Sequence, residues 1–244
     1  MIYRIMNIGV TNMPAKKEEV HTDRVSSGIA GLDEHIGGGF VRDDVYLITG
    51  ATGTGKTIFC LQFLWDGLQK DENGIFFSLE ELANDVMSDA KIFGWDFQPF
   101  IDQKKFLIQY SNPFEMLDIT SGIRGAIKKF NAKRVVIDST SMFGLEFESA
   151  HKLRNKLYSL IKELKGSGCV VLMTAEILED QKGLSRYGVE EFVADGVIML
   201  NYLGIGSLTS RSMVIRKMRR TNHGTDVYPF SMTSKGIVIE KEKF

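Results

Sequence analysis

The stretch "ITGATGTGKTIF", Ile48 to Phe59, decides the fold of this chain. It sets Gly50 and Gly55 five positions apart and follows the second glycine with Lys56 and Thr57. The run before it, "VYLIT" from Val45, is β-rich and apolar; the run after it places Ile58, Leu61, Leu64 and Leu68 at helical spacing. Strand, glycine loop and helix in that order make a phosphate-binding loop, because the glycines let backbone N–H groups curl around phosphate oxygens. The helix N-terminus adds partial positive charge, Lys56 reaches the β and γ oxygens, and the Thr57 hydroxyl is placed to ligate Mg²⁺. Thr52, Gly53, Thr54, Gly55, Lys56, Thr57 and Ile58 form the nucleotide-binding set of this loop.

Outward from the loop, short apolar runs alternate with helix-period segments. "IFFSL", "FLIQY", "RVVID", "CVVLMT" and "GVIML" read as strands, and "HKLRNKLYSLIKELKG" reads as a helix with Leu153, Leu157, Leu160 and Leu164 on one face, stopping at Gly166. Such alternation predicts an α/β fold, a mostly parallel twisted sheet with helices on both faces. The last part changes character: "SRSMVIRKMRR" alternates, and "HGTDVYPFSMTSKGIVIEK" offers two more strands with turn signals, so antiparallel strands extend the sheet. Residues 1–24 have no sustained period and read as an N-terminal arm, with one domain from 25 to 244.

A nucleoside-triphosphatase also needs a carboxylate for the magnesium shell and a base to orient water. "RVVIDST" ends a strand in Asp138, the pattern of a Walker B carboxylate, although an Asp after a strand also serves as a cap. "IFFSLEE" delivers Glu80 and Glu81, which also suit a helix start. Carboxyl ends of parallel strands gather at one edge, where ligands of open α/β sheets bind, and that places Lys56, Glu80, Glu81 and Asp138 together. Thr57, Glu80 and Asp138 are the expected metal-side groups, and Glu80 is the first choice as base with Glu81 in support. "CVVLMTAE" brings Thr174 and Glu176 to the same edge, as γ-phosphate sensors or as turn residues.

Bulk properties bound the rest. The chain has 244 residues, 43% of them hydrophobic and 25% charged, enough for a sizeable core. A net charge of −1 gives no broad attraction to nucleic acid or anionic membranes. The two cysteines, Cys60 and Cys169, sit in separate apolar segments without metal-ligand spacing, and no apolar run reaches the ~18 residues that span a bilayer. A cytoplasmic protein without a signal peptide is the expectation.

"SSGIAGLDEHIGGGF", the phosphate loop, "FFSLEE", "VVIDS", "RYGVEEFVADGVIML" and "KMRRTNHGTDVYPFSMTSKGIVI" together resemble one domain of the RecA/KaiC-like ATPases, over about Val25 to Ile239. The resemblance implies a RecA-like core that assembles as a ring, usually a hexamer, with ATP and Mg²⁺ between subunits. It implies that Lys217, Met218, Arg219, Thr221 and His223 reach the nucleotide held by a neighbour's loop, with Thr233 and Ser234 at the nucleotide edge. Lys217 and Arg219 are two apart on a predicted strand and so point to one face, where a pair of cations meets one phosphate group. Read without the resemblance, the same cluster is also a charged strand edge that discourages pairing. Arg220 stands where the family commonly has Gly. Glu190 and Glu191 stand where autophosphorylating relatives carry hydroxyl acceptors, so the resemblance is to the ATPase half and not to an autokinase.

Three functions follow from these residues. The first is an ATP-hydrolysing ring acting as a regulatory or signalling ATPase with a further protein partner, using Lys56, Glu80, Glu81, Lys217 and Arg219. The second is a recombinase-like DNA-binding ATPase; it is not favoured, because "SMFGLEFESA" is acidic and "ILEDQKGLSRYG" nearly neutral where DNA needs basic loops. The third is a nucleotide-dependent assembly module with negligible turnover.

Overall fold

A computed structural model describes residues 23–111, 119–145, 149–178, 183–202 and 211–240 of the protein. The centre of the sheet is β3 (Val45–Gly50), six residues that are all buried. A strand covered on both faces needs apolar side chains at every position, and "VYLI" supplies them. Two parallel neighbours flank it: β7 (Val170–Glu176), in register from Val45↔Val171 to Gly50↔Glu176, and β8 (Gly196–Tyr202), from Tyr46↔Gly196 to Gly50↔Leu200. Beyond β7 lie β6 (Arg134–Asp138), β4 (Gly74–Ser78) and β5 (Phe106–Tyr110), all parallel. Beyond β8 the direction reverses through β9 (Arg211–Met218), β10 (Val227–Thr233) and β11 (Gly236–Ile239). The order across the sheet is β11-β10-β9-β8-β3-β7-β6-β4-β5, a mostly parallel sheet with antiparallel C-terminal strands. A small antiparallel pair, β1 (Arg24–Val25) and β2 (Phe40–Val41), precedes it.

Strand alternation splits the core into two layers. Tyr46, Ile48, Phe76, Val136 and Leu172 face one side, and Val45, Leu47, Ile75, Phe77, Val135, Ile137 and Val171 face the other. The first layer is closed by α1 (Lys56–Gln69) through Phe59, Cys60, Phe63 and Leu64, joined by α2 (Ala83–Ile92), α3 (Gln98–Asp102) and the C-terminal strands. The second is closed by α4 (Ile119–Phe130) and α5 (Ala150–Leu164), whose Leu153, Leu157, Leu160 and Leu164 form the expected stripe. A short α6 (Glu190–Val193) leads into β8. Cys60 and Cys169 are buried free thiols, Trp95 stacks on Phe93, and Trp65 packs edge-on against Phe97 and Phe100.

Residues 1–22 of the expected arm lie outside the described residues, as do 146–148 and 179–182 of the two loops weighed as DNA contacts. Asp23 pairs with Arg42 at 2.6 Å, and the Arg24 guanidinium donates to the carbonyls of Ile36 and Gly39 at 2.8 Å, which ties this end to the domain. No described helix is long and apolar enough to cross a membrane.

Candidate functional site

The carboxyl ends of four strands meet along one edge. Gly50 of β3 pairs with Glu176 of β7, and Ser78 of β4 pairs with Asp138 of β6, so the loops that leave these strands share one rim. Gly50 is required there, because a Cβ would lie 2.3 Å from the Leu200 carbonyl oxygen. The chain then turns through Gly55, at φ +101°, into α1. A cleft of 380 Å³ opens above the turn, lined by Thr52, Gly53, Gly55, Lys56, Thr57, Ile58, Glu80, Glu81, Asp89, Asp138, Ser139, Glu176 and Met232. Thr54 is buried below it and donates to the Ala51 carbonyl at 2.8 Å, holding the loop.

Inside the cleft the Thr57 hydroxyl donates to Asp138 Oδ2 at 2.7 Å, and the Thr174 hydroxyl donates to Asp138 Oδ1. Ser139 donates to Glu80 Oε1 at 2.5 Å, and Thr52 donates to Glu176 Oε1 at 3.3 Å. Lys56 Nζ donates to the Gly50 and Ala51 carbonyls, each at 3.0 Å, folded onto the loop its ammonium arms. Burial pushes the Asp138 carboxyl above the usual carboxylate range against the hydrogen bonds from Thr174 and Thr57 and the charge of Lys56. Desolvation, and then Asp138 and Glu176, raise Glu80; desolvation and the charge of Asp138 raise Glu81. Burial lowers the Lys56 ammonium. Glu80, Glu81, Asp89, Asp138 and Glu176 against Lys56 leave a surplus of negative charge that favours a cation. The donor set fits Mg²⁺, which takes one or two carboxylates, a hydroxyl and phosphate oxygens and needs no all-protein cage. Among the described residues no group of three His, Cys, Asp or Glu side chains is arranged as such a cage.

The basic cluster lies elsewhere. Met218 pairs with Gly196, and Gly196 pairs with Tyr46, four residues before Gly50 and so about 13 Å back along the strand. Lys217 Nζ donates to the carbonyls of Glu191 at 3.0 Å and Ala194 at 2.6 Å, and Arg219 pairs with Asp195 at 3.2 Å. The two cations therefore stand together, on either side of the buried Met218. The strand ends at Met218 with Arg219 in the following turn, its N–H still donating to the Asp195 carbonyl at 2.9 Å, and a bulge at Arg216, ahead of Lys217, shifts the phase of the strand, since Val197 faces Lys217 while Ile198 faces Ile215. Met218 is buried, Thr221 accepts from Arg24 at 3.1 Å, and His223 Nδ1 lies 2.8 Å from the Gly224 carbonyl oxygen. Met232 lines the cleft of its own chain, and Thr233 and Ser234 follow it as exposed residues at the β10–β11 turn, outside the cleft lining.

Two residues gain a place that the sequence reading did not give them. Arg220 has φ +55°, the left-handed region its glycine counterpart favours, and its guanidinium pairs with the buried Asp44. Arg211, at the other end of β9, pairs with Tyr202, stacks over that ring at 4.6 Å and donates to the Gly53 carbonyl at 3.4 Å. Its place at the first position of an alternating strand was the only sequence signal, and that does not single it out.

The family model described as "ATPase: KaiC" matches residues 25–244. The circadian clock oscillator protein KaiC of Prochlorococcus marinus subsp. pastoris is 35% identical over 236 residues, covering 92% of this chain and 46% of that protein. The protein of the same name from Synechococcus elongatus is 36% identical over 222 residues, covering 86% and 43%. The chain thus spans less than half the length of these curated relatives. A solved KaiC-like protein from the hyperthermophilic archaeon Pyrococcus horikoshii OT3 superposes with a TM-score of 0.82 at 40% identity, covering 90% of this chain and 99% of that one. The phosphate loop, the strand-end carboxylates and the basic segment after β9 thus sit in a fold and a sequence that place this chain in the KaiC ATPase family.

Proposed function

We propose that this chain binds and hydrolyses ATP as one subunit of a ring, with the nucleotide between subunits, and works as a regulatory or signalling ATPase whose protein contacts follow nucleotide state. One observation carries the reading: Lys217 and Arg219 lie at the sheet edge opposite the phosphate loop of their own chain. A lysine or arginine side chain does not span that separation, so their phosphate partner belongs to another copy.

In this reading the loop N–H groups and Lys56 bind the triphosphate, and Thr57 and Asp138 hold Mg²⁺. Bound there, Mg²⁺ neutralises charge on the β and γ oxygens. Glu80, held by Ser139 and raised by its surroundings, accepts a proton from water as the water oxygen bonds to the γ-phosphorus. The bond from that phosphorus to the bridging oxygen breaks, and ADP takes up the leaving charge. Lys217 and Arg219 of the neighbouring copy stabilise the charge that develops, an effect worth ~10³ to 10⁵ in rate for cations of this kind.

The test is complementation. Lys56→Ala and Arg219→Ala are each expected to lose turnover, and a mixture of the two to regain it, because mixed rings contain interfaces with both an intact loop and an intact Arg219. A mixture as inactive as its components, with solution mass showing that mixed rings form, overturns the proposal.

A further inference from the structure

A second cavity, 540 Å³ against 380 Å³ for the phosphate cleft, lies between α5 and α6 with Arg219 in its wall. Its other walls include Arg154, Tyr158 and Phe192. Phe192 is 57% exposed and Tyr158 60% exposed, and the Arg154 guanidinium lies 5.5 Å from the Phe192 ring centre. The surface is thus cationic and aromatic.

The rim of the phosphate cleft has the opposite character. Asp85 and Asp89 stand four residues apart in α2 and so share one stripe of its surface, and Glu81 lies just before the helix. All three are exposed, Asp89 lines the cleft itself, and Leu82 beside them is 57% exposed. The surface is thus anionic and aliphatic.

We propose that the α5–α6 pocket of one copy receives the α2 lip of the next copy, with Arg154 meeting Asp85 and with Phe192 and Tyr158 covering Leu82. The inference rests on the reading of the preceding subsection: Arg219 belongs to the pocket wall and Asp89 to the cleft wall, so inserting Arg219 into a neighbour's cleft brings these surfaces together. Charge complementarity selects the occupant. A two-fold contact at the pocket sets a cationic patch against its own copy, and one at the lip sets carboxylates against carboxylates. A head-to-tail contact joins opposite charges, buries the exposed rings and repeats until a ring closes. The pocket then positions Arg219 by gripping the lip beside the reacting phosphate, and Arg154, Tyr158 and Phe192 hold the interface without touching nucleotide.

The experiment is charge reversal with rescue, read as solution mass against protein concentration in ATP and Mg²⁺. Arg154→Glu and Asp85→Lys are each expected to raise the concentration for half-assembly about tenfold or more, and the double variant to return to within about threefold of the parent. Both side chains are exposed, and the thermal midpoint of each variant reports whether it is folded. Single variants that assemble like the parent, or a double variant no better than the worse single, overturn the docking. If the parent assembles and the Lys56→Ala and Arg219→Ala mixture regains turnover while the charge reversals change nothing, only the docking falls. A parent that stays monomeric at every concentration sinks both readings.

Discussion

Removing the Arg220 side chain tests how the segment that carries Arg219 is anchored. Arg220 holds a left-handed backbone conformation, and its guanidinium is paired with Asp44, which is 3% exposed at the start of β3. Among the described residues that carboxylate also accepts a hydrogen bond from the Tyr46 hydroxyl at 3.3 Å. Breaking a buried ion pair from one side costs about 3 to 5 kcal/mol; because the Arg220 side chain is itself 48% exposed, solvent screening brings the expectation for Arg220→Ala to about 2 kcal/mol. For a domain of this size that is about 4 to 8 °C in Tm. Arg220→Gly loses the same pair but relieves the left-handed strain, about 1 to 2 kcal/mol, and returns about 0.5 to 1 kcal/mol through unfolded-chain entropy. It should therefore melt above the Ala variant. The pH dependence has a definite sign. Burial holds the Asp44 carboxyl above its usual range in the parent while Arg220 opposes that rise, so losing Arg220 raises it further. A carboxyl whose folded pKa lies above its unfolded value loses stability as pH climbs from the unfolded value through the folded one. The gap between variant and parent is thus full near neutrality and narrows on acidification as Asp44 takes a proton. Urea and thermal melts at neutral pH and at about pH 4.5, just above the ordinary carboxylate range, measure it. A variant within about 1 °C of the parent at neutrality, or a gap that stays constant with pH, refutes the reasoning.

Glu80→Gln combined with Glu81→Gln should lower ATP turnover about 10²- to 10⁴-fold while nucleotide still binds, because only the proton acceptor is lost; steady-state phosphate release beside a fluorescent-nucleotide titration separates the two effects. Gly55→Ala forces a side chain onto φ +101° and within 2.0 Å of the Met232 methyl, so nucleotide affinity should fall about tenfold or more in the same titration for a stability loss of about 1 to 2 kcal/mol. Arg134→Ala strips a 1% exposed guanidinium from Asp66 at 3.0 Å and Glu72 at 2.7 Å and should cost about 3 to 5 kcal/mol in urea melts; a loss below about 1 kcal/mol would show those carboxylates to be solvated.

Much of this molecule was legible in its sequence because period and position are local properties. The run "VYLIT", the glycine loop and the leucine spacing of α1 and α5 each depend on residues a few positions apart, and they placed the sheet, its two helical layers and the Lys56 and Thr57 pair. Asp138 and Glu80 were placeable because parallel strands align their carboxyl ends whatever the connecting segments are. Other features are relations between distant segments. The bulge at Arg216 that changes the phase of β9, the pairing of Arg220 with Asp44 and the approach of Arg211 to Gly53 join residues far apart in the chain, and no local pattern encodes them. The cationic pocket over α5 and α6 and the anionic lip of α2 belong to the same class. Each is ordinary helix surface when read along the chain, and only the sheet order sets one at either edge. Local pattern determined which elements form and which residues make up the glycine loop and the strand-end carboxylates. Tertiary packing alone decided that Lys217 and Arg219 lie at the edge opposite the phosphate loop of their own chain, because the strand that leads to them runs antiparallel to its neighbour and ends there.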